Sequence, residues 1–310
     1  LLIKKSREAV RSLFNEARMG QTLDVEACMP LVNDIAESVW RNPHAVLSLA
    51  RLKTHDDYSY MHSVAVCALM VTLARQLGHS QSEARNAGFA GLLHDVGKAC
   101  MPLDLLNKPA ALSDAEYELI KTHPRRGHEM LCQTQRASEF ELDVCLHHHE
   151  RFDGKGYPEG LSGDALSLAA RMGAVCDVYD AITSERPYKA AWGPGESMAQ
   201  MAVWAKSGQF DNAVFQAFVK GLGIYPIGSL VRLSSGRLGV VIEQHAFALL
   251  KPVVKVFFSV ISQMYVRPEK VDLSRVGCNE RVVERESNRK WKFKHLEEMW
   301  AGDVLLQIGR

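Results

Sequence analysis

The sequence of 310 residues lacks any marked charge imbalance, because 37 Lys and Arg residues against 36 Asp and Glu residues give a formal net charge of +1. The overall charge therefore gives no sign of a nucleic-acid or membrane surface, and any nucleotide specificity must be local. The sequence also has no apolar run of roughly 18 residues, the length that a transmembrane helix requires, and no signal-peptide pattern. We therefore expect a cytoplasmic chain without a membrane segment and without a nucleic-acid polymer as partner.

No C-x-x-C pair occurs among the seven cysteines. Most of them lie in apolar helical stretches, as free buried thiols do, which favours a reducing compartment. Cys100 follows Lys98 by two residues, and we expect it to be an inert packed thiol rather than a redox-sensitive one.

Apolar periodicity predicts an all-α helical core with a small C-terminal β-containing appendage. Residues 1–53 are predicted as N-terminal helices leading into the core, 54–225 as the core, 226–278 as the β appendage, and 279–310 as a charged tail with a candidate helix at 293–300. Alternating patterns are almost absent from the core, whereas 229–233, 238–242 and 253–258 have the pattern of strands. Because the chain opens at Leu1 within a helical pattern, we expect a fragment that lacks an N-terminal domain.

Potential metal ligands are concentrated in the predicted core. Nine of the twelve histidines fall between His55 and His149. His94 and Asp95 are adjacent, so an imidazole and a carboxylate can serve two ions at once, and His123, the triplet 147–149 and Asp177 follow at intervals. Histidine combined with carboxylate suits first-row ions such as Fe, Mn, Ni or Zn, whereas Mg prefers sites made only of oxygen.

Each of these residues has a simpler interpretation when it is taken alone. His62 shares a helical stripe with apolar residues, where a histidine satisfied by hydrogen bonds is common. Asp177 lies on a helix face of small residues, and an unpaired buried carboxylate costs several kcal/mol. Either a metal or a salt bridge resolves that cost. A purely structural bundle, however, has to explain several inward-pointing ligands at once.

Together the motifs resemble the HD-GYP subgroup of the HD phosphohydrolase superfamily, over roughly residues 54–223. The matching strings are His94-Asp95-Val96-Gly97-Lys98, His148-His149-Glu150, Asp153-Gly154-Lys155-Gly156-Tyr157-Pro158 and Asp177-Val178-Tyr179-Asp180-Ala181. Residues 226–272 also resemble the β-containing extension of family members that carry an extra N-terminal domain.

The resemblance implies a helical bundle with a metal centre that hydrolyses cyclic di-GMP to linear pGpG, and in some members further to GMP. By position, one ion is expected to be bound by His62, His94, Asp95 and Asp177, and the second by Asp95, His123, His148 and His149, with Asp95 bridging. Asp95 and Lys98 are the expected catalytic residues. Lys98, Arg186 and Lys189 are expected to contact the substrate phosphates, and Gly156 and Tyr157 lie in the loop that flanks the cleft.

The number of ions is predicted from Tyr58, which stands where some family members place a glutamate for a third metal. We therefore expect two divalent ions, Fe or Mn in preference to Ni or Zn, with a bridging hydroxide as nucleophile. His147 is expected to flank the site, and His55 and His128 to lie at the surface or behind the ligands. Asp153 and Asp180 are expected to support the ligands or to anchor loops.

Two alternatives remain open at this point. The metal centre suits a hydrolase of another cyclic dinucleotide, such as the mixed GMP–AMP molecule, or of a mononucleotide. The chain also suits a module that senses cyclic di-GMP with little turnover and contacts GGDEF-type cyclases through the loop at Gly156-Tyr157-Pro158. We further expect that the chain can form a homodimer.

Overall fold

The computed structural model describes residues 2–42, 58–134, 136–184, 191–245 and 247–301. The chain divides into two compact units. The first comprises Leu1–Ala191 and Trp204–Phe218, and the second comprises Trp192–Val203 and Val219–Arg310. This division differs from the predicted boundary at residue 225, because two short helical stretches before that position belong with the C-terminal unit.

The first unit is helical in the part that the structure describes, which confirms the predicted all-α core. Its helices are α1 (Leu2–Arg18), α2 (Met29–Arg41), α3 (Tyr58–Gln76), α4 (Gln81–Leu93), α5 (Leu103–Leu106), α6 (Asp114–Ile120), α7 (His123–Cys132), α8 (Glu139–His147) and α9 (Leu168–Thr183). Helices α10 (Pro194–Lys206) and α11 (Asn212–Leu222) each contribute residues to both units. None of the described helices is both long enough and apolar enough to cross a membrane.

Helix α3 forms the centre of the first unit. Every residue from Met61 to Ala74 is buried, so the helix is covered around its whole circumference rather than along the single stripe that the sequence predicts. Such a helix belongs in the middle of a bundle, and α3 packs against both α4 and α9. A polar side chain on α3, such as that of His62, is therefore held in a rigid and dry environment.

A close backbone approach fixes the end of α4 against the start of α7. Helix α4 ends at Leu93 and is followed by a 3-10 turn at Val96–Cys100. A Cβ atom on Gly97 would lie 2.0 Å from the carbonyl oxygen of His123 and 2.5 Å from the amide nitrogen of Gly127. Only glycine fits there, and its small size brings the two chain segments that carry His94, Asp95 and His123 together.

The second unit contains a five-stranded antiparallel sheet in the order β4-β3-β2-β1-β5. The strands are β1 (Leu230–Leu233), β2 (Arg237–Glu243), β3 (Val253–Ser259), β4 (Met264–Asp272) and β5 (Val282–Arg285). The predicted β appendage is thus confirmed, with three strands at nearly the expected positions. Strand β5 and the helices α12 (Asn288–Trp291) and α13 (Leu296–Ala301) lie in the segment predicted as a charged tail.

Candidate metal centre

The seven predicted ligands come together in the first unit. Six are buried, with at most 5% of the residue surface exposed, and His149 is partly buried. They are supplied by α3 (His62), the turn after α4 (His94 and Asp95), the start of α7 (His123), the end of α8 and the residues after it (His148 and His149) and α9 (Asp177). The structure arranges them in two groups that can hold a metal ion. Group A is His62, His94 and Asp177, and group B is Asp95, His123, His148 and His149.

Asp95 faces both groups with different oxygen atoms. Its Oδ2 lies 3.5 Å from Nε2 of His62 and 3.4 Å from Nε2 of His94, both in group A. Its Oδ1 lies 3.1 Å from Nε2 of His123 and 3.6 Å from Nε2 of His148, both in group B. One carboxylate therefore presents an oxygen to each group, as a bridge between two ions requires.

Three of the histidines are oriented by backbone carbonyl groups. Nδ1 of His94 lies 2.7 Å from the carbonyl oxygen of Gly91, and Nδ1 of His123 lies 2.7 Å from that of Ile120. Nδ1 of His148 lies 3.0 Å from the carbonyl oxygen of Val144. A carbonyl oxygen only accepts hydrogen bonds, so each Nδ1 carries the proton and each neutral ring has its lone pair on Nε2. All three Nε2 atoms point toward the centre of the cluster.

Asp180 orients His62 in the same way. Its Oδ2 lies 2.6 Å from Nδ1 of His62, and Nε2 of that ring lies 3.0 Å from Oδ1 of Asp177 in group A. A carboxylate behind a coordinating histidine fixes the tautomer and makes the ring a stronger ligand. The supporting role that the sequence predicts for Asp180 agrees with this contact.

The cluster brings hydrogen-bond acceptors together at short range, which is the strongest sign that it fits metal ions. Nε2 of His62 and Nε2 of His94 are 3.3 Å apart, and the same distance separates the Nε2 atoms of His123 and His148. Oδ1 of Asp95 is buried and accepts no hydrogen bond in the described part of the chain. Lone pairs that face one another without a donor repel, and a cation placed between them removes that repulsion.

Five of the seven ligands, namely Asp95, His123, His148, His149 and Asp177, also have the protonation state that a metal ligand needs. Burial lowers the pKa of His148 to about 4 and also lowers the pKa values of His123 and His149, so these rings are neutral near pH 7. Burial raises the pKa of Asp95, but the ammonium group of Lys98, together with the surrounding imidazoles, outweighs burial and holds that pKa well below its usual range. Asp177 is likewise held ionised, since the neighbouring imidazoles, those of His62 and His94 first, lower its pKa more than burial raises it.

The metal-free protein should lose stability as the pH falls below 6.5, the ordinary pKa of histidine. His123, His148 and His149 have lowered pKa values, so the unfolded chain takes up protons that the folded chain refuses, and stability rises with pH between about 4 and 6.5. The pKa of His62 is raised, because hydrogen bonds to Asp177 and Asp180 outweigh burial, and it acts in the opposite direction. Because three histidines act in one direction and His62 alone acts in the other, the free energy of unfolding should be about 1–3 kcal/mol lower at about pH 5.5 than at about pH 7.5.

Urea unfolding of the chelator-treated protein at these two pH values measures the difference. The His148→Gln variant should show a smaller pH dependence, because one of the three groups is then absent. An equal free energy of unfolding at both pH values in the unmodified chain would contradict the assignment.

Replacing Asp180 with asparagine should weaken metal binding in group A. An amide at this position can present its oxygen to Nδ1 of His62, but it lacks the charge that strengthens the ring as a ligand, and such a loss costs about 10-fold to 100-fold in metal affinity. Titration of the metal-free protein with Mn(II) measures the change. Asp164→Asn, at an exposed aspartate outside the two groups, is the control, and equal affinities in both variants would count against a role for Asp180.

The predicted phosphate-contacting residues are only partly described. Nζ of Lys98 lies 2.5 Å from Oδ2 of Asp95, so this ammonium group is paired with the carboxylate that faces both groups. Arg186 and Lys189 lie outside the described residues, as do His55 and the carboxylates at 56 and 57. The backbone of Tyr58 opens α3, but its side chain is outside the described part. The contacts of these residues with phosphate, and the exclusion of a third ion, stay predictions.

The neighbouring residues occupy different positions. His147 turns away from both groups, with Nδ1 2.7 Å from Asp143, which agrees with its predicted flanking role. His128 is partly exposed and lies beside Cys132. Cys100 is exposed, so the expectation of a packed thiol is wrong. It is the last residue of the short 3-10 turn Val96–Cys100 and is turned to the surface, and apolar neighbours in the sequence do not reveal such a change of direction.

Sequence reasoning missed the role of Glu150, which anchors the loop that contains Gly156 and Tyr157. Its side chain is buried, and its Oε1 accepts hydrogen bonds from the amides of Glu159 and Gly160 at 2.6 and 2.9 Å. The position of Glu150 directly after two ligand histidines is the only signal in the sequence. That signal indicates a site residue without indicating which loop it holds.

Comparison with known proteins agrees with this fold and site. Residues 31–214 match the HD domain family. The chain is 55% identical over 302 residues to the protein named cyclic di-GMP phosphodiesterase PA4108 of Pseudomonas aeruginosa, an alignment that covers 97% of this chain and 72% of the relative. It is 33% identical to the 3′3′-cGAMP-specific phosphodiesterase 1 of Vibrio cholerae, over 56% of this chain and 42% of the relative.

A solved structure shares the fold. Bd1817, described as an HDG"Y"P protein from Bdellovibrio bacteriovorus, superposes with a TM-score of 0.55 at 19% identity, covering 69% of this chain and 67% of that one.

A helical bundle whose histidines and aspartates form two adjacent metal-binding groups defines the class of the protein, and the chain belongs to the HD domain family. Within that family, the predicted membership of the HD-GYP subgroup is confirmed.

Proposed function

We propose that this chain is a metal-dependent phosphodiesterase that hydrolyses cyclic di-GMP to linear pGpG, with groups A and B as the ligands of two divalent ions. The observation that carries the proposal is the bridging geometry of Asp95, whose two oxygens face different groups. The predicted enzyme class is confirmed by the relative from Pseudomonas aeruginosa, which is 55% identical to this chain and is named a cyclic di-GMP phosphodiesterase.

The reaction divides between the metal ions and the side chains of the chain. When bound, two divalent ions would supply the Lewis acidity that makes water nucleophilic at neutral pH and offset charge on the phosphate. Water adds to phosphorus, the bond to the 3′ oxygen breaks, and that oxygen leaves with a proton. Four of the five histidines in groups A and B are fixed by backbone carbonyls and Asp180, so they hold the two positions without rearrangement.

Lys98 contributes a positive charge beside the reacting phosphate in this proposal. Its ammonium group is partly exposed and lies against Asp95, so it can reach a phosphate oxygen without leaving the site. Arg186 and Lys189, which the family resemblance assigns to the same task, complete the proposed cationic contacts. Gly156 and Tyr157 are proposed to border the substrate.

Turnover with a defined metal tests the proposal. The protein is purified without oxygen, stripped of metal, and reloaded with Fe(II) or Mn(II), and the products of cyclic di-GMP are identified by chromatography and mass spectrometry. We expect pGpG to form only with added metal, and pGpG offered as substrate shows whether GMP follows. Bound metal without turnover of any cyclic dinucleotide would instead identify a sensing module.

A mixed cyclic dinucleotide is the second candidate substrate, because the chain is 33% identical to a 3′3′-cGAMP-specific enzyme of Vibrio cholerae over 180 residues. The same assay with both dinucleotides in competition separates the two candidates. A kcat/KM for 3′3′-cGAMP above that for cyclic di-GMP would reverse the order of preference. The choice of Fe or Mn, a cytoplasmic location, contact with GGDEF-type cyclases and a homodimer stay proposals from the sequence.

A further inference from the structure

His149 differs from the other ligand histidines in how its ring is held. Each of the other four rings has a carbonyl or carboxylate oxygen within 3.0 Å of Nδ1. In the part of the chain that the structure describes, no hydrogen bond reaches the ring of His149, and its Nδ1 lies 3.6 Å from Oδ2 of Asp177. It is also the one ligand of the seven that is not fully buried. Its orientation therefore depends on packing against other rings rather than on a hydrogen bond.

Besides the neighbouring ligand rings of His123 and His148, the ring of Tyr157 packs against the ring of His149. The two rings are stacked, with centroids 4.7 Å apart and planes inclined by 27°. The amide of Tyr157 also donates a hydrogen bond to the carbonyl oxygen of His149 at 3.2 Å, so backbone and side chain are both aligned with the histidine. The ammonium group of Lys121 approaches the same tyrosine ring, at 5.4 Å from its centroid. Stacked aromatic pairs of this geometry attract one another beyond simple burial.

The loop that carries Tyr157 is itself held by a buried side chain. Glu150 is buried, and its Oε1 accepts the amides of Glu159 and Gly160, two and three residues beyond the tyrosine. Gly156 allows the chain to fold back, because a Cβ atom there would lie 2.4 Å from Cα of Glu150. The loop thus begins at Glu150, shortly after the end of α8, folds back onto that residue, and places Tyr157 against His149, the residue before Glu150.

We propose that Tyr157 is a positioning residue for group B: its ring holds the imidazole of His149 in the orientation that coordinates the second ion, and Glu150 holds the loop that carries the ring. The inference deepens the proposed function, since it rests on His149 being a metal ligand. It assigns Tyr157 a task different from the substrate contact that the family resemblance implies.

Metal binding by the full chain tests this proposal independently of the substrate. Metal-free protein is titrated with Mn(II), and the bound ions are followed by calorimetry and by electron paramagnetic resonance. In Tyr157→Leu, affinity for the second ion should fall on the order of 10-fold, while the first ion is retained. The resonance signal of a Mn(II) pair should then give way to that of an isolated ion. Tyr157→Phe keeps the stacked ring and should bind both ions like the unmodified protein.

Two further variants complete the design. Glu150→Ala removes the acceptor of the Glu159 and Gly160 amides, so the loop is released and the affinity for the second ion should fall selectively. This variant keeps the proposal testable if Tyr157→Leu does not fold. Tyr117→Leu is the matched control, because Tyr117 also approaches Lys121, at 5.7 Å, but it is half exposed and has no ring contact with His149 in the described structure. It should leave both affinities unchanged.

The outcomes separate this inference from the proposed function. Unchanged metal affinities in Tyr157→Leu with a raised KM would show a substrate contact only and would overturn the inference while leaving the phosphodiesterase intact. Equal losses in the phenylalanine and leucine variants would assign the effect to the hydroxyl group and overturn it as well. A selective loss of the second ion supports the inference even if cyclic di-GMP is not the substrate.

Discussion

Asp95→Ala should lose high-affinity binding of both metal ions, and its phosphodiesterase activity should fall by at least about three orders of magnitude, the scale seen when one member of an interdependent catalytic set is removed. The physical reason is the position of the carboxylate between the two groups. Its Oδ2 faces His62 and His94, and its Oδ1 faces His123 and His148. No other side chain of the described residues has oxygens within 4 Å of four histidine nitrogens.

A graded series makes the expectation specific to bridging. Asp95→Asn presents one oxygen and one amide nitrogen, which carries protons and cannot coordinate, so it should retain at most one tightly bound ion. His123→Ala removes a ligand of group B alone and should retain the ion of group A. Metal analysis of the purified proteins by mass spectrometry gives the number of ions directly. The exposed Asp104→Ala is the control and should bind as many ions as the unmodified chain.

The helical fold should survive the loss of Asp95. Helix α3 is buried on all sides and most of its buried side chains are apolar, while its contact with the carboxylate runs through His62, so circular dichroism should show the same helix content in Asp95→Ala. Two bound ions and undiminished turnover in a folded Asp95→Ala protein would refute the bridging assignment. A variant that is unfolded is distinguished by its spectrum, and Asp95→Asn, which keeps the side-chain volume, then carries the test.

The meeting of the candidate ligands could be predicted because several of them are polar residues in or beside apolar helical runs. His94 and Asp95 stand at the end of an apolar helical run, and Asp177 interrupts another, so the buried polar groups were expected to meet. Their division into two groups followed only from the family resemblance. The orientation of each ring was out of reach, because the acceptors behind His94, His123 and His148 are backbone carbonyls. Every residue has a backbone carbonyl, so the sequence does not show which one accepts a given hydrogen bond.

Contacts made by loops and exposed strands were the least predictable. Glu150 binds the amides of residues nine and ten positions later, and no periodicity encodes the closure of such a loop. Strand β4 was missed because most of its nine residues are exposed and four are charged, with Pro268 in the middle of its span at the edge of the sheet. An edge strand needs neither apolar alternation nor a full set of backbone donors, so it lacks the pattern on which strand prediction depends.

Gly97→Ala should destabilise the protein by about 3 kcal/mol and weaken metal binding. The added methyl group would lie 2.0 Å from the carbonyl oxygen of His123 and 2.5 Å from the amide nitrogen of Gly127. Both obstacles are backbone atoms, so the start of α7 must move as a unit, and overpacking that shifts backbone reaches the upper part of the usual range of about 1–3 kcal/mol. His123 moves with its carbonyl and leaves the position in which its Nε2 faces Asp95.

The two effects of Gly97→Ala are measured on the same samples, stability by urea unfolding of the metal-free protein and metal binding by Mn(II) titration. Group B should lose more affinity than group A, because His123 belongs to B and the Gly97 methyl group presses on that residue. Gly173→Ala is the matched control in α9. Its methyl group would lie 3.1 Å from the side chain of Val144, which can give way, and 3.4 Å from Cβ of His148, an ordinary contact, and alanine is the better helix former. A Gly97→Ala protein as stable as the Gly173→Ala control, with both ions bound normally, would show that the close approach of the two segments does not set the metal geometry.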